Sequence, residues 1–223
     1  MLKQSVRGYL VIADISGYTQ LLAETELLHA RFIVARVLQS LLIANTLPLE
    51  VSKIEGDAIL FYTNGCAAVP EQIVTQLNAL CYAFRETKAE LGRTLDCSCQ
   101  CCSQLDKLAL KFVIHTGEFA EEPIGQFSEL IGWDVVVLHR LLKNTIPHKS
   151  YMLFTEEFLR QAQPSLRSLV LPITLVYEDI GTINGGYCVL ERPETPEGSV
   201  SKESKAHSES PREVLRRLIS RFA

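Results

Sequence analysis

The chain lacks a strong charge of either sign. A formal net charge of −4 over 223 residues excludes a protein that holds nucleic acid by bulk positive charge. No apolar run approaches the ~20 residues of a membrane helix, and no signal peptide is read ahead of the first structured segment. The expectation is therefore a cytoplasmic protein with no transmembrane segment. An even cysteine complement is also missing: the seven Cys, with no secretory context, argue against a disulfide framework. Nor is there a G-x-x-x-x-G-K-[ST] phosphate loop or a Ser-His-Asp arrangement, so P-loop and serine-hydrolase chemistry have no support.

What is present is enough apolar material, 47% of residues, for one full domain with an appendage. GYLVIAD (8–14) is apolar throughout, as a strand buried on both faces should be. SGYTQLL then forms a short helical turn with Ser16 as its cap. Residues 26–44 repeat apolar side chains at helical spacing, with Leu27, Leu28, Phe32, Val34, Ala35, Leu38, Leu41 and Leu42 as the core face. LEVSKI, EGD and AILFY read as a β-hairpin. A helix from Pro70 ends at Gly92, two strands join near Gly117, and a helix covers 133–143. A Thr-Glu-Glu cap opens a helix at Thr155, and 173–191 supply a last strand pair. Helices alternating with hairpins give an α/β fold: an α+β sandwich whose mostly antiparallel, ferredoxin-like sheet is covered on one face by helices.

One domain thus spans 1–192, with a Cys-rich insertion at 95–106. Residues 193–210 are a Pro/Ser/Glu/Lys-rich linker. Residues 211–223 carry Val214, Leu215, Leu218, Ile219 and Phe222 on one helical stripe and Arg on the other side. That amphipathic helix would dock on its own domain or a dimer mate, or bind a partner or membrane surface.

The hairpin tip in KIEGDAILFY holds two carboxylates and a Lys around one Gly. Gly-Asp is ordinary turn chemistry, unless a second carboxylate lies nearby. Asp14 ends the first buried strand; if that strand neighbours the hairpin, Asp14 and Asp57 project from adjacent strand ends. Such a pair can hold divalent cations that clamp a triphosphate. Asp14 alone could equally be a helix cap.

ADISGYT, KIEGDAILFY, LKFVIHTGE and GWDVVVLHRLLKN occur in this order. Together they resemble the signature blocks of the class III nucleotidyl cyclases, the adenylate and guanylate cyclase catalytic domain, over about residues 6–191. The Cys-rich insertion resembles a divergent offshoot of that family. The resemblance implies conversion of a nucleoside triphosphate to a 3′,5′-cyclic nucleotide and pyrophosphate, in a homodimer whose active sites form between subunits. It makes Asp14 and Asp57 the aspartates for two Mg²⁺ or Mn²⁺ ions, with the Ile15 carbonyl as a further ligand. Lys53 matches the base-recognition lysine, and Arg140 the arginine that stabilises charge on the transferring phosphate. Without the resemblance, Arg140 would read as a solvated helix residue. Glu55 has no family role and reads as a solvated turn residue.

Three positions depart from the family pattern. The ribose-positioning Asn is Val136 here, one helical turn before Arg140. The base-recognition Asp is Glu129, and the late phosphate-binding Lys is absent from the turn GTINGGY. The alternative to an enzyme is therefore a catalytically inactive module that binds nucleotide or dimerises.

In CSCQCC, Cys97, Cys99, Cys101 and Cys102 have spacing suited to a structural Zn²⁺, with Cys81 as another candidate ligand. Redox-active or simply reduced loop thiols are the other readings. Cys66 and Cys188 read as small core residues. His115 is expected to satisfy local hydrogen bonds rather than bind metal, and His139 to point away from the Arg140 face.

Overall fold

In the computed structural model, residues 5–23, 27–47, 49–66, 68–94 and 105–190 are described. The Cys-rich cluster, the linker and the C-terminal amphipathic segment lie outside them. The long strand β1 (Val6–Ser16) is the spine of the sheet. It pairs antiparallel with β3 (Ala58–Tyr62) on one side and β4 (Ala109–Ile124) on the other. Both faces of its middle, Gly8–Ala13, are covered, which is why that stretch carries no charged or strongly polar side chain rather than alternating. Beyond β3 lies β2 (Glu50–Glu55). Beyond β4 come β6 (Tyr151–Thr155), β8 (Gly181–Val189) and β7 (Leu171–Tyr177), giving the order β2-β3-β1-β4-β6-β8-β7. Only β4 and β6 are parallel; β5 (Phe127–Ile131) pairs separately with β4.

Tyr9, Val11, Ala13 and Ile15 face one core, against α2 (Leu27–Ala44) and α3 (Pro70–Thr94). Phe158 and Leu166, from the short helices α5 (Glu156–Leu159) and α6 (Pro164–Arg167), join them. Leu10 and Ile12 face a second core against α4 (Trp133–Leu141), with Leu175 of β7. The mostly antiparallel sheet with helices is the fold expected, but α4 covers its other face. A period-two strand with both parities apolar needs cover on both sides.

Several local expectations change. Helix α2 turns Ala30, Ile33, Val34, Val37 and Leu41 inward, while Leu27, Leu28 and Phe32 face out. With apolar residues nearly all round, periodicity alone could not choose the face. By length and hydropathy this helix would also suffice to cross a membrane, although 28% of it is buried inside this domain. Gly92 does not end α3, which continues to Thr94. Ser16 is no cap: its hydroxyl donates to the Lys149 carbonyl at 3.1 Å, and α1 (Tyr18–Ala23) starts beyond it. Thr155 precedes α5 without making a side-chain cap.

β4 runs straight through Gly117, and the turn to β5 comes at Gly125 instead. Gly117 has a different task. A Cβ there would stand 2.2 Å from the Asp134 Cβ, so only glycine admits the start of α4.

Candidate functional site

The register Asp14↔Ala58 brings the end of β1 beside the hairpin tip. Gly56 supplies the turn with φ +62, a left-handed conformation that side-chain-bearing residues resist. The Ile15 N–H donates to the Asp57 carbonyl at 3.1 Å, tying the two aspartate segments together through their backbones. The Asp57 carboxyl is pushed above the usual carboxylate range, first by burial and then by the negative charge of Asp14. Lys111, opposite Asp14 across β1 and β4, places its Nζ 3.0 Å from Asp14 Oδ2. Residue types in LKFVIHTGE gave no hint of this lysine; only the register reveals it. Two neighbouring carboxylates with one lysine keep a net negative charge, and the strained Asp57 would be relieved by further positive charge. The donor set fits a hard divalent cation.

A second cluster lies on the α4 side of the sheet. Lys53 Nζ is 3.0 Å from Glu55 Oε1 and 3.2 Å from Glu129 Oε2. Its ammonium is stabilised foremost by the Glu55 hydrogen bond, which outweighs partial burial, and its pKa rises. Glu55 is thus not a merely solvated turn residue; it helps hold Lys53 in place. Lys53 on β2 and Glu129 on β5, each matched separately to a base-recognition position, meet across the two strands.

Lys53 and Arg140 line one cleft of about 700 Å³, together with Trp133, Val136, His139 and Lys143. That volume suits a nucleotide-sized ligand. Val136, 44% exposed, presents a methyl-bearing surface where an amide would have offered hydrogen bonds. Arg140 Nε lies 2.6 Å from Asp179 Oδ2, in the turn between β7 and β8. His139 reaches the cleft as well, contrary to expectation, and partial desolvation lowers its pKa. Trp133 and Lys143 sit inside the block GWDVVVLHRLLKN without a role of their own there, and Asp179 lies outside every motif, so none of the three was singled out from sequence. Asp14, Asp57 and Lys111 do not line this cleft. The structure therefore groups the predicted residues in two sets: the aspartates in one, Lys53, Glu129 and Arg140 in the other.

The strand-to-helix joint behind the cleft is tightly hydrogen-bonded. His115, 3% exposed, meets Thr155 Oγ1 at 2.8 Å through Nδ1 and Asp134 Oδ1 at 3.0 Å through Nε2. The Asp134 carboxylate also accepts the Glu118 N–H at 2.5 Å. These contacts, led by His115, hold its pKa below the usual range. His115 satisfies local partners, as expected, and the joint fixes α4 and hence Val136 and Arg140.

Among the described residues no cluster of three or more His, Cys, Asp or Glu could hold a metal ion. Cys81 is a poor candidate for a zinc ligand: burial in α3 pushes its thiol up to about 12, disfavouring the thiolate that binds metal. Cys188 in β8 is partly buried against the core, whereas Cys66 is exposed and is not the core residue expected.

Residues 34–151 match the family model described as "Protein of unknown function (DUF2652)". An uncharacterized protein of Mycobacterium tuberculosis is 32% identical over 148 residues, covering 66% of this chain and 69% of that one. Among solved structures, a guanylyl cyclase aligns with a TM-score of 0.66 and 14% identity, over 87% of this chain and 98% of its own. An adenylyl cyclase from P. aeruginosa aligns at 0.64 and 14%, over 86% and 98%. A bacterial light-regulated adenylyl cyclase aligns at 0.60 and 18%; 84% of this chain is covered but only 52% of that protein, about half its length. At such identities the likeness shows the fold, a divergent form of the cyclase catalytic domain. By the family match and the mycobacterial relative, this chain belongs to the DUF2652 family.

Proposed function

We propose that the chain is a divergent nucleotidyl cyclase acting as a homodimer on a nucleoside triphosphate. The observation that carries the reading is the Asp14–Asp57 pair at adjacent strand ends, with Asp57 strained by burial and by its neighbour. A carboxylate disfavoured by burial and by a second carboxylate beside it is a candidate for a functional role. The second cluster supplies what a triphosphate requires. The Lys53 ammonium donates to an acceptor on the base edge, and the Glu129 carboxylate accepts from a base N–H. Their mutual contact keeps both oriented before substrate arrives. Arg140, on the same cleft wall, is placed to offset charge on the phosphates once Asp179 releases it.

Asp14 and Asp57, with the Ile15 carbonyl, are the residues that would hold two Mg²⁺ or Mn²⁺. Bound there, the ions would acidify the ribose 3′-hydroxyl and neutralise phosphate charge. In the overall reaction the 3′-oxygen forms a bond to the α-phosphorus. The bond from that phosphorus to the pyrophosphate oxygen breaks, and the hydroxyl proton leaves to solvent. Since the two clusters share no cleft within one protomer, a symmetric pair of copies brings the aspartates of one to the lysine and arginine of the other. A nucleoside triphosphate substrate is consistent with a cytoplasmic location.

A second reading, binding without turnover, is favoured by Val136, which offers no hydrogen bond to a ribose, and by the Lys-free β7–β8 turn. Loss of one positioning contact costs on the order of 10² in rate. The deciding experiment incubates the purified protein and Asp57→Asn with Mn²⁺ or Mg²⁺ and each of ATP, GTP, CTP and UTP, with products read by mass spectrometry. A cyclic nucleotide from the wild type alone is expected. No product from any of the four would move the reading to the binding module. Zinc in the Cys97, Cys99, Cys101 and Cys102 cluster belongs to the same proposal and is read by metal analysis of the same preparation.

A further inference from the structure

The outer face of α2 is the least explained surface of the domain. Leu28 is 72% exposed, Phe32 49% and Ile43 73%, and with the exposed Ala35 they lie on one side of the helix, interrupted by the exposed Gln39 before Ile43. The stripe from Leu28 to Ile43 is about 22 Å long at 1.5 Å per residue. Isolated exposed leucines are normal, but an aligned apolar stripe of this length marks a contact surface.

The described chain ends close by. The Leu190 carbonyl accepts a hydrogen bond from Arg85 on α3, the helix that shares a core with α2. Thirty-three residues, 191–223, follow Leu190. The polar stretch 191–210 has a coil span of roughly 25 Å, enough to cross one helix diameter of about 10 Å. Residues 211–223 would make a helix about 20 Å long, close to the length of the α2 stripe. Its apolar residues Val214, Leu215, Leu218, Ile219 and Phe222 fall at helical spacing, with Arg212, Arg216, Arg217 and Arg221 flanking them.

Charge on the α3 side of the stripe is mixed: Glu86 is exposed, while Glu90 is shared with Arg36 of α2. Glu90 reaches across to Arg36 of α2 at 3.7 Å, so its side of α3 faces the α2 surface. Glu86 sits one turn earlier on that same side and is exposed.

We propose that residues 211–223 fold as an amphipathic helix along the outer face of α2 in their own protomer, with Leu218 and Phe222 against Phe32 and the arginines toward Glu86 and Glu90. The proposal stands independently of the cyclase reading, because α2 contributes no residue to either cluster of the candidate site.

The test places the photo-crosslinker p-benzoylphenylalanine at Leu218 of the full-length chain. Isotopically light and heavy protomers are mixed, irradiated and digested, and the cross-linked peptides are identified by mass spectrometry. Cross-links from position 218 into residues 27–44 of the same chain are expected. Phe32→Asp should cut their yield roughly fivefold or more, the equivalent of one lost apolar contact of about 1 kcal/mol. Phe127→Asp, at an exposed site on β5, should leave the yield unchanged. Unaltered melting temperatures of both variants exclude misfolding as the cause. Light–heavy cross-links would instead assign the stripe to a second copy. Cross-linking only to other parts of the domain, or only to lipid when phosphatidylcholine–phosphatidylglycerol vesicles are present, would also overturn the proposal.

Discussion

Asp57 is the residue on which the proposed chemistry would turn, and its environment gives it a testable signature. Its folded-state pKa is raised, so the ionised form is disfavoured on folding. The folded protein is therefore penalised at neutral pH, and the penalty fades as pH falls through the carboxylate range. Asp57→Asn is expected to raise the melting temperature at pH 7 by about 1–3 °C, with no difference at pH 3. Mn²⁺ should raise the wild-type melting temperature by binding the native state alone, and leave the variant unmoved. A variant that melts lower, with no Mn²⁺ effect in either protein, would make Asp57 a plain turn residue.

Candidate residues could be picked out where a motif set the spacing. Lys53, Asp57 and Glu129 could be matched by position, and the structure joins Lys53 to Glu129 through a cross-strand contact. Lys111 and Asp179 were not legible. Each acts through a partner far away in sequence, Asp14 and Arg140, and only strand register or turn placement creates those pairs.

At the scale of elements, the β4–α4 joint carries most of the positioning. Gly117 leaves room for the Asp134 side chain, which links His115 and the Glu118 N–H to the start of α4. Asp134 has a lowered pKa, so its contribution to stability is present above the ordinary carboxylate range and lost as pH falls through its folded value. Asp134→Asn should destabilise the protein at pH 7 by about 1.5–3 kcal/mol, the scale of a hydrogen bond to a charged group. In urea unfolding followed by circular dichroism, that gap should narrow as pH drops toward 3. A gap that does not change with pH would show that the Asp134 charge is irrelevant to the joint.

Element order was largely readable from pattern, since the buried strand β1, the hairpin and the long helices each have strong periodicity. The failures share a physical reason. In α2 apolar residues surround the helix, so burial was decided by the neighbours α3 and β1 and not by spacing. At Gly117 the glycine answers a tertiary demand, the approach of Asp134, and local sequence gives that no distinctive mark. Thr155 looked like a cap but turns its hydroxyl to His115, a partner forty residues away.

For the molecule as a whole, the proposed reading requires two copies, because the two clusters share no cleft within one. Asp14 and Asp57 lie at the strand ends by the hairpin tip, while Lys53, Val136 and Arg140 share a different cleft. A second copy would complete the site. The exposed residues Ile124, Phe127, Ile131 and Trp133 give the α4 side of the domain an apolar surface for such an encounter.

The most direct measurement mixes two inactive forms, Asp57→Asn and Arg140→Ala, after subunit exchange, and assays cyclic nucleotide with Mn²⁺. In a two-fold dimer, half of the pairs formed at random are mixed and each carries one intact site, so about a quarter of wild-type activity should return. Each variant alone should give none. If the mixture is as inactive as its components while the wild type makes product, the aspartates and Arg140 act within a single chain and the shared-site account is wrong.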